Sequence, residues 1–373
     1  MSTVVLVVGL GPWRDHRVAM PMDQMARVYS RYPNVVVYYL DPNWAATPGA
    51  RWRYATEPSN PAGCWVLRPD PREGSFAAAL STAFLDVRGY AVTGAALVAA
   101  LDEATRVVCL THSFWPDVCR RLVETLMPDA VIYDCHETVV AMASASREGA
   151  AHAWLVDRAD VVLAISPAVA QAVERLGRTP MRLGNGIEVA RFQAAAPEAP
   201  QWTFGLVSAF SDWVDVAALQ ALAEAFPGES VALVGPVHQN MGRAYETLSA
   251  RANVIAHPGV PHADVPAMLQ RMEVCLLPRL LTPVSMACDP LKLYEYLAAG
   301  RPVVSTRVPS AVALADVVYL ADGGPDFGSG AARALSDVRA GRFDASRVAA
   351  CRAAVATRTW DARCAAAWHA LPA

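Results

Sequence analysis

Short apolar runs alternate with amphipathic stretches along most of the chain. Val4–Val8, Val35–Leu40, Arg106–Leu110, Ala130–Asp134 and Val161–Ile165 are apolar at nearly every position. Such runs mark strands of a parallel sheet covered on both faces. Between them, helical periodicity falls at Val18–Ser30, Gly94–Glu103, Pro116–Leu126, Thr138–Arg158 and Pro167–Leu176. A second series has strands at Thr203–Val207, Ser230–Val234, Val254–Ala256, Glu273–Leu277, Pro302–Ser305 and Val317–Leu320. Its helices fit Val214–Phe226, Arg243–Arg251, Val265–Gln270, Pro290–Ala299 and Phe327–Ala340, and the tail Ala345–Leu371 reads as one or two more.

Alternating strands and helices predict an α/β protein with parallel sheets. Ala194–Gln201, rich in Ala and Pro, reads as a linker, which divides the chain into an N-terminal Rossmann-like domain (1–185), a linker (186–202), a C-terminal Rossmann-like domain (203–345) and terminal helices (346–373). Open parallel sheets bind ligands beyond the carboxyl ends of their strands, so two joined halves predict a cleft between them. Asp41–Gly74, rich in Pro, Trp and Arg, predicts a long loop with a short strand near Trp65–Leu67.

Composition narrows the function. A length of 373 residues with 54% hydrophobic positions is ample for two cores. The net charge of −3, with no long run of one sign, argues against a nucleic-acid partner. Eight scattered cysteines with no CxxC pair read as core residues of a reducing, cytoplasmic protein, without metal or cofactor. The N-terminal run reads as a first strand rather than a leader, and no segment approaches the ~20 apolar residues of a membrane span. Peripheral membrane contact stays compatible with this composition.

Of the 32 lysines and arginines, one is lysine: Lys292. It lies in Asp289-Pro-Leu-Lys-Leu-Tyr-Glu-Tyr-Leu-Ala-Ala-Gly-Arg-Pro. Asp289 suits an N-cap, Pro290 a first helical position, and Gly300 with Pro302 a stop. Leu291, Tyr294 and Leu297 fall on one stripe, and Lys292 and Glu295, three residues apart, share another face. A helix N-terminus attracts phosphate, a lysine there adds full charge, and a glutamate one turn on accepts hydrogen bonds from a ribose diol. The same spacing also suits an ordinary surface ion pair.

This block resembles the donor-binding motif of retaining glycosyltransferase family 4 and its relatives, and most closely a bacterial subgroup that includes a teichuronic acid glycosyltransferase. Leu155–Val169, Leu183-Gly-Asn-Gly-Ile-Glu-Val-Ala-Arg-Phe and Phe210-Ser-Asp-Trp-Val-Asp are similar to further segments of that family, so the resemblance spans most of the chain. It implies the GT-B fold, with a C-terminal helix crossing back to the N-terminal domain. It implies a nucleotide-sugar donor, a hydroxyl acceptor (a glycan, a lipid-linked glycan or a small-molecule aglycone), retention of configuration and no metal. Lys292 would then meet the donor diphosphate and Glu295 the ribose, with Leu291, Ser208, Ser211 and Arg279 as further donor contacts. His136, at a strand end, would touch the donor sugar, with Glu137 supporting a cationic transition state.

Two features depart from the family. Ala287 stands where many members carry a second glutamate, and Ser208–Val216 has no basic residue, which leaves Lys292 more of the phosphate charge. On the acceptor side, Gly11 follows the first strand in a segment where glycines permit close approach of a ligand. Asp15 or His16 would serve as general base in an inverting enzyme. His112 ends another strand. The aromatics Trp44, Trp52, Tyr54 and Trp65 suit either packing or sugar stacking. Rival readings are an inverting GT-B transferase, a sugar-nucleotide epimerase, and a non-catalytic nucleotide-sugar binding subunit.

Overall fold

The structure is a computed structural model that describes residues 3–10, 20–40, 52–55, 64–69, 101–196, 198–238 and 241–372. The described residues divide into two compact units, 3–184 with 360–372, and 185–359.

In chain order the first unit holds β1 (Thr3–Val8), α1 (Pro21–Tyr29), β2 (Val35–Leu40), β3 (Trp52–Ala55), β4 (Cys64–Pro69), β5 (Arg106–His112), α2 (Pro116–Leu126), β6 (Ala130–Cys135), α3 (Arg147–Arg158), β7 (Val161–Ala164), α4 (Pro167–Glu174) and β8 (Met181–Arg182). The strands form one sheet in the order β3-β4-β2-β1-β5-β6-β7-β8, parallel except for the β3–β4 pair. β1 lies between β2 and β5, with Leu6 beside Tyr38 and Cys109, and Val4 to Val8 are almost fully buried. This explains why the run carries no alternation of polar and apolar residues.

The second unit continues with α5 (Val189–Gln193), β9 (Trp202–Val207), α6 (Val216–Ala225), β10 (Val231–Val234), α7 (Gly242–Ser249), β11 (Val254–His257), α8 (Val265–Gln270), β12 (Met272–Leu277), α9 (Pro283–Ala287), α10 (Leu291–Ala298), β13 (Val303–Thr306), α11 (Pro309–Val312), β14 (Tyr319–Ala321), α12 (Phe327–Arg339) and α13 (Ala345–Ala353). Its all-parallel sheet runs β11-β10-β9-β12-β13-β14. The chain proceeds outward from β9 in one direction, then resumes at β12 on the other side. That reversal is the topological switch point at which doubly wound sheets bind ligands. The last helix, α14 (Trp360–His369), belongs to the first unit and packs on α1, where Trp368 meets Tyr29 and Tyr32 at centroid distances of 5.4 Å.

Three expected elements differ. Thr138–Arg158 is not one helix: a 3₁₀ turn (Glu137–Ala141) stops, and α3 restarts where the Ser146 hydroxyl accepts from Gly149 N at 2.9 Å. The serine offers the helix a better N-cap than continuation does. The segment expected as a linker contains α5, whose Phe192 is fully buried with Ile187 and Val189 in the second unit's core. Asp289 does not cap α10. The N-cap is Pro290, with no side-chain cap bond, while Asp289 accepts from Asn185 N at 2.7 Å and from the Tyr294 hydroxyl. Among the described residues, no helix is long and apolar enough to cross a membrane.

Candidate active site

At the switch point of the second unit, the segments following β9 and β12 are joined. Val214 and Arg279 form an antiparallel bridge, Asp215 N donates to Pro278 O at 2.9 Å, and Leu280 N to Trp213 O at 2.9 Å. α10 is locked onto β9 because the buried Tyr296 hydroxyl donates to Val207 O and accepts from Val207 N, both at 3.0 Å. Leu293, Tyr294, Tyr296, Leu297 and Ala298 are fully buried, and Leu291 is half-buried.

Lys292 and Glu295 lie on this fixed helix. Nζ donates to Oε2 at 2.7 Å, so the ion pair expected from spacing is present. It is not a surface pair. The Glu295 side chain is 3% exposed, that of Lys292 24%. Oε1 is 2.9 Å from Nε2 of His262, which the sequence reading did not single out. Burial opposes ionisation of Glu295, but the Lys292 charge and the His262 hydrogen bond outweigh it and lower the carboxyl to about 2. Each carboxylate oxygen keeps a lone pair beyond these bonds, and the Lys292 ammonium has further protons to donate. The pair can therefore hold itself together and bind a ligand at once.

A cavity of about 430 Å³ opens beside β10 and β11, lined by Gly235, Pro236, Val237, Tyr245, Ala256, His257, Pro258 and Gly259. Its floor needs glycine. Gly235 has φ +146°, and a Cβ there would lie 1.8 Å from Ser208 O. Gly259 in the cavity wall and His262 on Glu295 are three positions apart, a reach of at most about 11 Å.

The other expected donor contacts sit in the joined loops. Ser208 donates to Ala209 O at 3.0 Å, the Ser211 hydroxyl to Asp212 at 3.1 Å, and Arg279 Nε to the Ser285 hydroxyl at 3.1 Å. Ala287 is fully buried in α9.

In the first unit, the ends of β5 and β6 bring His112 and His136 together, with the Phe114 ring 6.0 Å from one and 5.0 Å from the other. His112 is fully buried. Phe114 N donates to its Nδ1 at 3.2 Å, which assigns the proton to Nε2. Burial, reinforced by His136, lowers its imidazole to about 3. His136 is 2% exposed, and its side chain makes no capping bond to the 3₁₀ turn that begins at half-buried Glu137. Its Nε2 lies 3.3 Å from Asp134 Oδ2 in an orientation that forms no hydrogen bond. Asp134 is instead gripped by Arg363 of α14 at 2.8 and 3.1 Å. Burial alone would raise its carboxyl, but the Arg363 charge overrides that and holds it well below the usual range. Gly11, Asp15, His16 and Trp44 lie outside the described residues, as do the side chains of Trp52, Tyr54 and Trp65.

Comparison with solved structures places this architecture. A sucrose-phosphate synthase from Thermosynechococcus elongatus superposes with a TM-score of 0.70 over 99% of this chain and 98% of that one, at 13% identity. Anabaena Alr3699/HepE in complex with UDP superposes with a TM-score of 0.64 over the whole of both chains, at 14% identity. The chain has the GT-B fold. Residues 205–332, which contain β10 to β14 and α10, match the family model described as Glycosyl transferases group 1. The chain is also 27% identical over 205 residues to a Bacillus subtilis (strain 168) protein named "Putative teichuronic acid biosynthesis glycosyltransferase TuaH". That match takes in 49% of this chain and about half (51%) of the relative.

Proposed function

We propose that this GT-B protein is a glycosyltransferase that takes its sugar from a nucleotide donor and passes it to a hydroxyl acceptor. The observation that carries the reading is Glu295: an ionised, nearly buried carboxylate, held from two sides, on a helix at the carboxyl edge of the second sheet. In this reading the ribose diol donates to the free lone pairs of Glu295. The base occupies the cavity between Gly235 and Gly259. Lys292, with the N–H groups of the first turn of α10, meets the diphosphate. The match of residues 205–332 to a glycosyltransferase family and the UDP and UDP-glucose complexes of Anabaena Alr3699/HepE support it.

The reaction we propose proceeds with retention and without a metal, as the family resemblance implies. Negative charge grows on the departing diphosphate as the glycosidic bond breaks, and Lys292 stabilises it. The acceptor attacks from the face the diphosphate leaves, and the phosphate takes its proton. No protein nucleophile is needed. A screen of UDP-, GDP- and dTDP-sugars against glycan, lipid-linked and small-molecule acceptors tests the reading, with anomeric NMR of the product deciding retention. Binding without turnover across the panel would replace it with a donor-binding subunit. Conversion of the donor without acceptor would replace it with an epimerase.

A further inference from the structure

Glu295 is reached by a second line of contacts, from outside α10. Arg191, in α5, lays NH2 against the His262 ring, in contact with Nδ1 and 3.5 Å from Nε2, and donates to the His262 carbonyl at 3.3 Å, while NH1 pairs with Glu188 at 2.7 Å. The ionised Glu295 carboxylate can only accept. The ring proton of His262 therefore resides on Nε2, the atom facing Glu295 Oε1 at 2.9 Å. His262 is 8% exposed and stands edge-on to buried Phe192, with centroids 6.0 Å apart. Ring and carboxylate are thus held in sequence, from α5 through the segment after β11 to α10.

We propose that His262 is a positioning residue for the nucleotide: its Nε2–H holds the Glu295 carboxylate in the one rotation that presents its remaining lone pairs to a ribose diol, and Arg191, bonded to the His262 carbonyl, holds the ring in place. Lys292 alone cannot do this. It grips only Oε2 from a flexible side chain, so the carboxylate stays free to turn about its last torsion. With Oε1 tied as well, both oxygens are fixed. A preset acceptor pair binds a diol without spending affinity on ordering itself. The same segment lines the cavity at Gly259, so the group that aligns the ribose site is tethered to the proposed base site. This inference rests on the donor-site reading above.

Two substitutions of equal polarity separate positioning from mere packing. In His262→Gln the terminal amide nitrogen replaces Nε2 and can still donate to Glu295. In His262→Asn the shorter amide stays beside Arg191 and falls short of Glu295. The readout is calorimetric preference for a nucleoside diphosphate over its 2′,3′-dideoxy form, using whichever of UDP, GDP or dTDP the protein binds best (for dTDP, the comparison is with its 3′-deoxy form). Wild type should prefer the hydroxylated ligand by about tenfold or more, the range expected for hydrogen bonds to a charged acceptor. His262→Gln should retain most of that preference, and His262→Asn should reduce it to within about threefold while inorganic diphosphate binds both variants alike. If His262→Asn keeps the wild-type preference, the ring serves only to tie down Arg191 and the proposal is overturned. If wild type and Glu295→Ala both ignore the sugar hydroxyls, the donor-site reading itself fails, a result distinct from a failure of His262 alone.

Discussion

At the scale of single residues, the candidate site is a problem in keeping charge where solvent is scarce. Glu295 stays ionised because Lys292 and His262 offset its burial. Glu295→Ala should raise the donor dissociation constant by removing charge-assisted bonds worth ~1.5–3 kcal/mol each, and calorimetry that finds unchanged donor affinity would refute the ribose role. The carboxyl's folded value of about 2 lies below its ordinary 4.5. Its stabilisation is therefore complete above pH 4.5 and is lost as pH falls toward 2. His112 adds a loss of the same sign at higher pH. Its folded value of about 3 lies below the ordinary 6.5, so the unfolded chain takes up the proton first. Stability then falls between pH 6.5 and 3, by up to about 1.4 kcal/mol per pH unit. His112→Asn, which keeps an acceptor for Phe114 N, should flatten that slope in urea titrations run across the window, and an unchanged slope would contradict the assignment. Lys292 and Glu295 were legible in the sequence because three residues of helix bring them together. His262 and Arg191 were not: they come from 33 residues before Glu295 and 71 before His262, and only the tertiary fold unites them.

Elements were legible where local chemistry decides them. Pro116–Leu126 has proline at its start and a turn at Met127, and forms as a helix over that span. The break before α3 depends on Ser146 competing with the preceding turn, which helical periodicity does not register. Asp289 shows the same limit. It has the residue type of an N-cap, yet its oxygens are claimed by Asn185 and Tyr294. The most consequential long-range contact is that of α14. Arg363 and Asp134 are both almost fully buried, and each is paired with the other's charge at 2.8 Å. Arg363→Met should destabilise the protein by about 3–5 kcal/mol by stranding the Asp134 charge, and adding Asp134→Asn should recover a large part of it. Denaturant midpoints of the single and double variants check this. Equal midpoints for wild type and Arg363→Met would mean that α14 is not fastened by this pair.

At the scale of the whole molecule, the sequence showed two rounds of alternating strands and helices, and each round became a sheet with its own switch point. Strand order was not legible, because it depends on which apolar faces meet rather than on any one run. The proposed chemistry nevertheless depends on it: β9 beside β12 creates the edge where α10 is anchored, and β10 beside β11 opens the cavity. The central claim is that Lys292, on that anchored helix, stabilises the charge of a departing diphosphate. A contact that strengthens as the bond breaks acts on the barrier more than on binding. The most direct measurement is therefore kcat for transfer from the active nucleotide-sugar, alongside the Kd of the intact donor, in wild type, Lys292→Ala and Lys292→Arg. The account predicts that Lys292→Ala costs roughly 2.7–4 kcal/mol in kcat with a smaller loss in donor affinity, and that the planar guanidinium of Lys292→Arg restores only part of it. Full turnover by Lys292→Ala would contradict it, and would leave Lys292 and Glu295 as no more than an ion pair on a helix.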